Sequence, residues 1–307
     1  MKRSIVIGTR GSPLALKQAQ EVLEGLTRLH PERVFEVQVI TSQGDRNRRV
    51  PISHFGSKGV FVTELQRYLR KGEIDIAAHS MKDMPSEDPS GLCIAAVPPR
   101  QDPRDVLVTA EGAPLAQLPR GARIGSGSPR RSVQLKAARP DIEVLGIRGN
   151  IDTRMSKVRQ GQYAGVVLAA AGLLRMGWQD RITEYLPVEV CLPAVGQGAL
   201  AVEVRADDEE SQRLLEGLEH PPSRSAVEAE RALLRGLGGG CMAPIAAYGY
   251  YEDGALVLRG MVADPEGSRI IKAQVQGVNE SPVQLGAMLA EKLLSLGAAK
   301  LMEMTKV

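Results

Sequence analysis

Ser4-Ile5-Val6-Ile7-Gly8-Thr9-Arg10-Gly11-Ser12-Pro13 is the stretch from which the fold class is read. Its apolar run reads as a short buried strand that ends in a tight polar turn. Leu14, Ala15, Ala19, Val22, Leu23 and Leu26 then recur on one face of a helix. Ser12 is a natural N-cap, and Pro13 suits the first helical position. Strand, turn and helix in this order begin an α/β domain. They also leave backbone N–H groups facing the strand end, a ready anion site. The turn returns at Gly127-Ser128-Pro129, after the short strand Arg123-Ile124-Gly125 and before a helical pattern that runs to Ala138. The echo predicts two similar α/β domains facing each other.

Between and beyond these turns the same alternation continues. Residues 35–40 read as a second strand, and residues 41–59 as a polar loop that is either a lid or plain surface. An amphipathic helix over 61–71 and a buried strand over 74–78 lead into His79-Ser80-Met81-Lys82-Asp83-Met84-Pro85. Open α/β sheets place ligands at such strand ends. By themselves these residues fit a solvated ion pair equally well. A strand over 92–97 precedes a proline-rich connector at 98–103, a candidate domain boundary. Past it, Arg130, Arg131, Arg148, Arg154 and Arg175 fall at or near successive strand–helix junctions and suggest an anion-binding rim. His220-Pro221-Pro222-Ser223 reads as a second boundary, with a helix over 225–237 opened by a Ser225/Glu228 capping box. Three strands and a last helix over 282–296 complete a small α+β domain.

That helix feeds Gly238-Gly239-Gly240-Cys241-Met242-Ala243-Pro244, a bare loop that presents a thiol. Alone it reads first as a small buried cysteine on a turn, and second as an exposed nucleophile or tether. Composition narrows the classes. Of 307 residues, 43% are hydrophobic and 24% charged, as in a soluble globular protein of two or three domains. Aromatics at 3% and a net charge of +3 disfavour a nucleic-acid partner. No apolar run approaches the ~20 residues that span a bilayer, so no membrane partner is expected. Met1–Gly8 is too short an apolar run for an export signal. Cys93, Cys191 and Cys241 are far apart, with no C-x-x-C spacing, so no metal site is expected and a reducing cytoplasm fits. Nothing signals an interface, which makes a monomer the default.

These features converge on a cleft lined by cations and helix N-termini, with Asp83 at a strand end and a thiol on a separate domain. Such a site suits a substrate bearing several carboxylates or phosphates. A carboxylate among the cations suits developing positive charge, or N–H groups to be held. Solute receptors use the same two-lobed cleft, so a non-catalytic anion-binding protein is the alternative.

At this level of detail the chain resembles the porphobilinogen deaminase family over essentially its whole length. The matching motifs are Thr9-Arg10-Gly11-Ser12-Pro13-Leu14-Ala15-Leu16, Lys58-Gly59 with Phe61, and His79-Ser80-Met81-Lys82-Asp83. They continue in Arg130-Arg131, Arg148-Gly149-Asn150, Thr153-Arg154, Leu192-Pro193-Ala194-Val195-Gly196-Gln197-Gly198 and Gly239-Gly240-Cys241. The resemblance implies two periplasmic-binding-protein-like (type II) α/β domains around a cleft, at 1–98 plus 194–219 and at 99–193, and an α+β domain at 220–307. It implies head-to-tail joining of four porphobilinogen molecules, with release of ammonia, into hydroxymethylbilane. The chain would grow on a dipyrromethane primer held by a thioether to Cys241. Asp83 is then the expected catalytic carboxylate. Lys82, Ser80, Ser126, Ser128, Arg130 and Arg131 are expected on the primer, and Arg10, Ser12, Arg148, Arg154, Arg175, Gln197, Lys58 and Phe61 on the substrate. One departure is local: the family commonly has Gly-Thr-Ser-Ser-Leu before its arginine pair, and Gly127 here removes one hydroxyl donor.

Overall fold

The structure, a computed structural model, describes residues 3–40, 60–238 and 244–303, without the side chains of Val60 and Phe61. The chain divides into two compact units, Met1–Gln101 with Ala199–Ser225 and Asp102–Gly198 with Ala226–Val307.

The first unit is built on one five-stranded sheet. Its strands are β1 (Ile5–Arg10), β2 (Phe35–Ile40), β3 (Ile76–Ser80), β4 (Leu92–Ala96) and β10 (Leu200–Arg205), in the order β2-β1-β3-β10-β4. β1 runs parallel to β2 and β3, whereas β10 is antiparallel to both its neighbours. Helix α1 (Pro13–Leu29) covers one face, where Ala19, Val22 and Leu26 meet Ile7, Ile76, Ala78 and Val202. Helix α2 (Val60–Arg70) covers the other, with Leu65 and Leu69 against Ile74 and Ala77, and a short helix after β10, α6 (Glu209–Leu215), adds Leu214 and Leu215 to the α1 side. Each fully buried Val, Leu or Ile among them contributes about 1.5–3 kcal/mol relative to exposure.

The second unit repeats the plan. Its strands are β5 (Asp105–Thr109), β6 (Arg123–Gly125), β7 (Glu143–Leu145), β8 (Gly165–Ala169) and β9 (Glu184–Tyr185), in the order β7-β6-β8-β5-β9. Again the fourth position holds the strand that is antiparallel to both neighbours. Helices α3 (Pro129–Ala138), α4 (Ile151–Arg159) and α5 (Ala170–Arg175) flank the sheet. The same strand order in two mixed sheets makes both of them periplasmic-binding-protein-like α/β sheets.

The C-terminal segment adds an antiparallel sheet of β11 (Ile245–Glu252), β12 (Ala255–Ala263) and β13 (Ile270–Gly277). Helix α7 (Pro221–Gly236) and helix α8 (Pro282–Ser295) bury Leu233, Leu285, Leu289 and Leu293 against it. A second apolar cluster, Val133, Leu192, Ala246, Met261 and Ala263, joins this sheet to the rest of its unit. Helix α7 starts at Pro221, earlier than the Ser225 start expected from its capping box. The Pro221-Pro222 pair forms the first turn, where missing N–H groups cost nothing, and His220 Nδ1 lies 2.8 Å from Ser223 Oγ. Among the described residues, no helix is long and apolar enough to cross a membrane.

Candidate functional site

In the first unit a pocket opens at the adjacent carboxyl ends of β1 and β3, lined by Arg10, Ser12, Gln18, His79, Ser80 and Asp83 among others. All but Gln18, in the second turn of α1, come from or beside the end of an element. Arg10 closes β1. Ser12 caps α1, its Oγ accepting from the Ala15 N–H at 3.2 Å, so the positive end of the helix faces the pocket. Ser80 closes β3, and its Oγ accepts from Gln18 Nε2 at 2.7 Å. Lys82 and Asp83 follow on a single 3-10 turn, Met81–Asp83, and both are exposed. The turn is anchored, since the Met81 N–H donates to the Ala199 carbonyl at 3.0 Å. A guanidinium, two hydroxyls and a helix terminus can bind carboxylates here, while Asp83 can accept N–H groups or face a cation.

The second unit treats its cations differently. Arg130 and Arg131, 4% and 6% exposed, both close on Asp105, which is fully buried at the start of β5. Arg130 Nη1 and Arg131 Nη2 each lie 2.7 Å from an Asp105 oxygen. Arg130 also donates to the Leu192 carbonyl at 2.6 Å, and Arg131 to the Val167 carbonyl at 3.1 Å. Gln197 Nε2 and Cys191 Sγ donate to Asp105 at 2.9 and 3.2 Å. Burial alone would raise the Asp105 carboxyl, but the two guanidiniums outweigh it and hold it well below the usual carboxylate range. Burial, with Asp105 adding to it, pushes the Cys191 thiol up to about 12. Two cations on one anion leave the cluster with excess positive charge. Arg154 adds to it: burial first, then Arg131, lowers its guanidinium from the ordinary value.

Local backbone places the remaining donors. Gly149 sits at φ 114, a conformation suited to glycine, and a Cβ there would lie 2.6 Å from the Thr153 side chain. Asn150 then caps α4, accepting from the Thr153 N–H at 3.0 Å. Arg154 folds back to donate to the Gly149 carbonyl at 2.7 Å, and Arg148 is exposed beside it. Gly127 is tight as well, since a Cβ would meet the Ile147 carbonyl oxygen at 3.1 Å. Ser126 is buried, and its Oγ accepts from the Ser128 N–H at 3.2 Å; Ser128 is the N-cap residue of α3 but makes no side-chain cap bond. Arg175 closes α5 and donates to the Gly198 carbonyl at 3.1 Å.

The structure therefore gathers Arg10, Ser12, Ser80 and Asp83 at one pocket. It gathers Arg130, Arg131 and Gln197 in one buried cluster, with the Arg154 guanidinium close enough to feel Arg131. Lys58, the Phe61 side chain and Cys241 lie outside the described residues. Sequence reasoning missed Asp105, the shared partner of the arginine pair. It also missed Glu230, fully buried on α7, whose two oxygens accept from the Gly196 N–H at 2.6 Å and the Gly249 N–H at 2.8 Å. A charged residue on the apolar face of a helix was the available signal for Glu230. Among the described residues, no group of three or more His, Cys, Asp or Glu is placed to hold a metal ion.

Comparison with known proteins agrees along the chain. Residues 5–213 match the family model described as "Porphobilinogen deaminase, dipyromethane cofactor binding domain", and residues 225–295 match "Porphobilinogen deaminase, C-terminal domain". A porphobilinogen deaminase of Syntrophus aciditrophicus is 48% identical over 297 residues, covering 97% of each chain. One from Desulforamulus reducens is 46% identical over 303 residues, 99% of this chain and 98% of the relative. One from Geobacillus sp. is 48% identical over 306 residues, 99% of this chain and 98% of the relative. With both of its parts matched and its relatives aligned nearly end to end, the chain belongs to the porphobilinogen deaminase family.

Proposed function

We propose that the pocket at the ends of β1 and β3 is where this chain carries out its family's reaction, with Asp83 as the main catalytic group. The chain is a transferase of tetrapyrrole biosynthesis. It joins four porphobilinogen molecules head to tail, with release of ammonia, into hydroxymethylbilane, and it extends a dipyrromethane primer. The full-length match to an enzyme family leaves a non-catalytic solute receptor without support.

The observation that carries the reading is the donor set. Arg10, Ser12, Ser80 and the first turn of α1 offer bonds to carboxylates, and an exposed Asp83 stands among them. Those groups fit a molecule with acid side chains and pyrrole N–H groups. When bound, the dipyrromethane supplies the pyrrole carbon to which the first unit is joined. The residues do the rest. Asp83 accepts pyrrole N–H groups and stabilises the cation that forms as the substrate loses ammonia. Arg10, Ser12, Arg148, Arg154 and Arg175 orient substrate carboxylates, with Gln197, Lys58 and Phe61 in the same set. Lys82, Ser80, Ser126 and Ser128 serve the primer. Arg130 and Arg131 serve it through the excess charge that their shared bond to Asp105 leaves.

The same reading assigns the primer's thioether to Cys241. Of the other cysteines, Cys191 is buried with a thiol pushed to about 12, and burial raises that of Cys93; neither favours the thiolate. The reading takes the functional domains as 1–98 with 194–219, 99–193 and 220–307, in a cytoplasmic monomer.

Two measurements test it. Intact mass under denaturing conditions is expected to show a dipyrrole adduct in the wild type and none in Cys241→Ala; an adduct surviving in Cys241→Ala would remove the tether assignment. Asp83→Asn is expected to lower turnover of porphobilinogen about 100-fold or more. Near-wild-type turnover would remove Asp83 from its role.

A further inference from the structure

Behind the pocket, β3 and β10 share a polar pair that the reading above does not use. The His79 side chain is 4% exposed, and its Nε2 lies 3.1 Å from Oε2 of Glu203, whose side chain is 1% exposed. Gln66, on α2, donates from Nε2 to the other Glu203 oxygen at 2.8 Å. The register explains how they meet. β10 runs antiparallel to β3 with Ala201 opposite His79 and Glu203 opposite Ala77. Residues opposite each other share a face, so His79 and Glu203 are diagonal neighbours on the face beneath α2. The two alanines leave them room. β10 also shifts register against β4 between Val202 and Glu203, a bulge of the kind that re-aims a side chain.

Ser80, the next residue, points to the opposite face and is bonded by Gln18 from α1. The last two side chains of β3 are thus tied from both sides of the sheet. Directly after them come the Met81–Ala199 backbone bond and the turn that carries Asp83. His79 is also among the residues that line the pocket. Well-packed apolar side chains would hold this strand as well as a buried His–Glu pair, whose desolvation opposes folding. Stability alone is therefore a poor account of the pair.

We propose that Glu203, acting through His79, is a positioning residue for Asp83. Glu203 accepts the Gln66 N–H at one oxygen and the His79 Nε2–H at the other. That bond sets the ring's tautomer and plane, as a carboxylate behind a metal-bound histidine does, and the ring fixes the end of β3 from which the Asp83 turn departs. The inference rests on the reading of Asp83 as the catalytic group.

A double-mutant cycle on the primer-loaded enzyme tests it. Glu203→Gln keeps the size but offers a single acceptor to two donors. Turnover of porphobilinogen is expected to fall about tenfold, since a misplaced catalytic group costs rate, with KM within about twofold and the primer mass retained. In an Asp83→Asn background the same substitution is expected to cost nothing further. His79→Gln, which keeps a donor toward Glu203, is expected to retain more turnover than His79→Leu. Unchanged turnover in Glu203→Gln, or a loss that multiplies with that of Asp83→Asn, overturns the proposal. The Asp83 single variant reports separately on the catalytic reading. If Glu203→Gln does not fold, Gln66→Met removes one donor from the same carboxyl and carries the same cycle: lost turnover at unchanged KM supports the pairing, and equal turnover overturns it.

Discussion

Asp83 and Asp105 occupy comparable ground in two sheets of the same strand order, and their surroundings are opposite. Asp83 is exposed on a single turn after β3, beside a pocket edged by Arg10. Asp105 is fully buried at the start of β5, with Arg130, Arg131, Cys191 and Gln197 all bonded to it. The sheet order determines where strand ends, and so polar groups, collect. The number of local partners then decides whether a carboxyl is free to meet a ligand or is committed to holding other side chains. In the first unit the carboxyl faces solvent. In the second it organises two cations, which outnumber it.

The largest effect should come from removing the organiser. Asp105→Ala strands two buried guanidiniums and is expected to cost about 3–5 kcal/mol in urea unfolding. Asp83→Ala, at an exposed position, should stay within about 0.5 kcal/mol. Equal losses would erase the contrast. Acid sharpens it. The folded-state pKa of Asp105 is depressed, so its contribution is full above the unfolded value of about 3.9 and is lost as pH falls through the folded value. Stability of the wild type should therefore drop on acidification below about pH 5, and Asp105→Asn should flatten that slope. Activity reverses the ranking: in variants that remain folded, Asp83→Asn should lose turnover without a shift in melting temperature. The smallest test compares the serines. Ser12→Ala removes a made cap and should cost about 1 kcal/mol, whereas Ser128→Ala, with no side-chain cap bond to lose, should cost a few tenths.

The serine turns were legible because their signals are local. A Ser-Pro pair between an apolar run and a 3.6-residue pattern announces a strand, a cap and a helix wherever it occurs. Asp105 was not legible, because an aspartate opening a strand looks ordinary and its partners arrive 25 and 26 residues later, on α3. Glu203 did leave a trace, a charge inside the apolar run of β10, but nothing local says that His79, 124 residues away, answers it. The placement of β10 beside β3 came from the family resemblance, since an apolar strand fits either sheet equally well. The Pro221-Pro222 pair misled in the other direction, because the same residues that end structure elsewhere begin α7.

The position of β10 also dictates a timetable. It lies between β3 and β4, yet the ribosome makes it after every strand of the second sheet. From the end of β4 at residue 96 to the start of β10 at residue 200, about 100 residues must be translated, roughly 5–20 s at 5–20 residues per second. For that interval the nascent first sheet has unpaired edges at β3 and β4, an invitation to wrong partners. All strands of the second sheet, β5 to β9, are made before β10, so that sheet can close before the first one does.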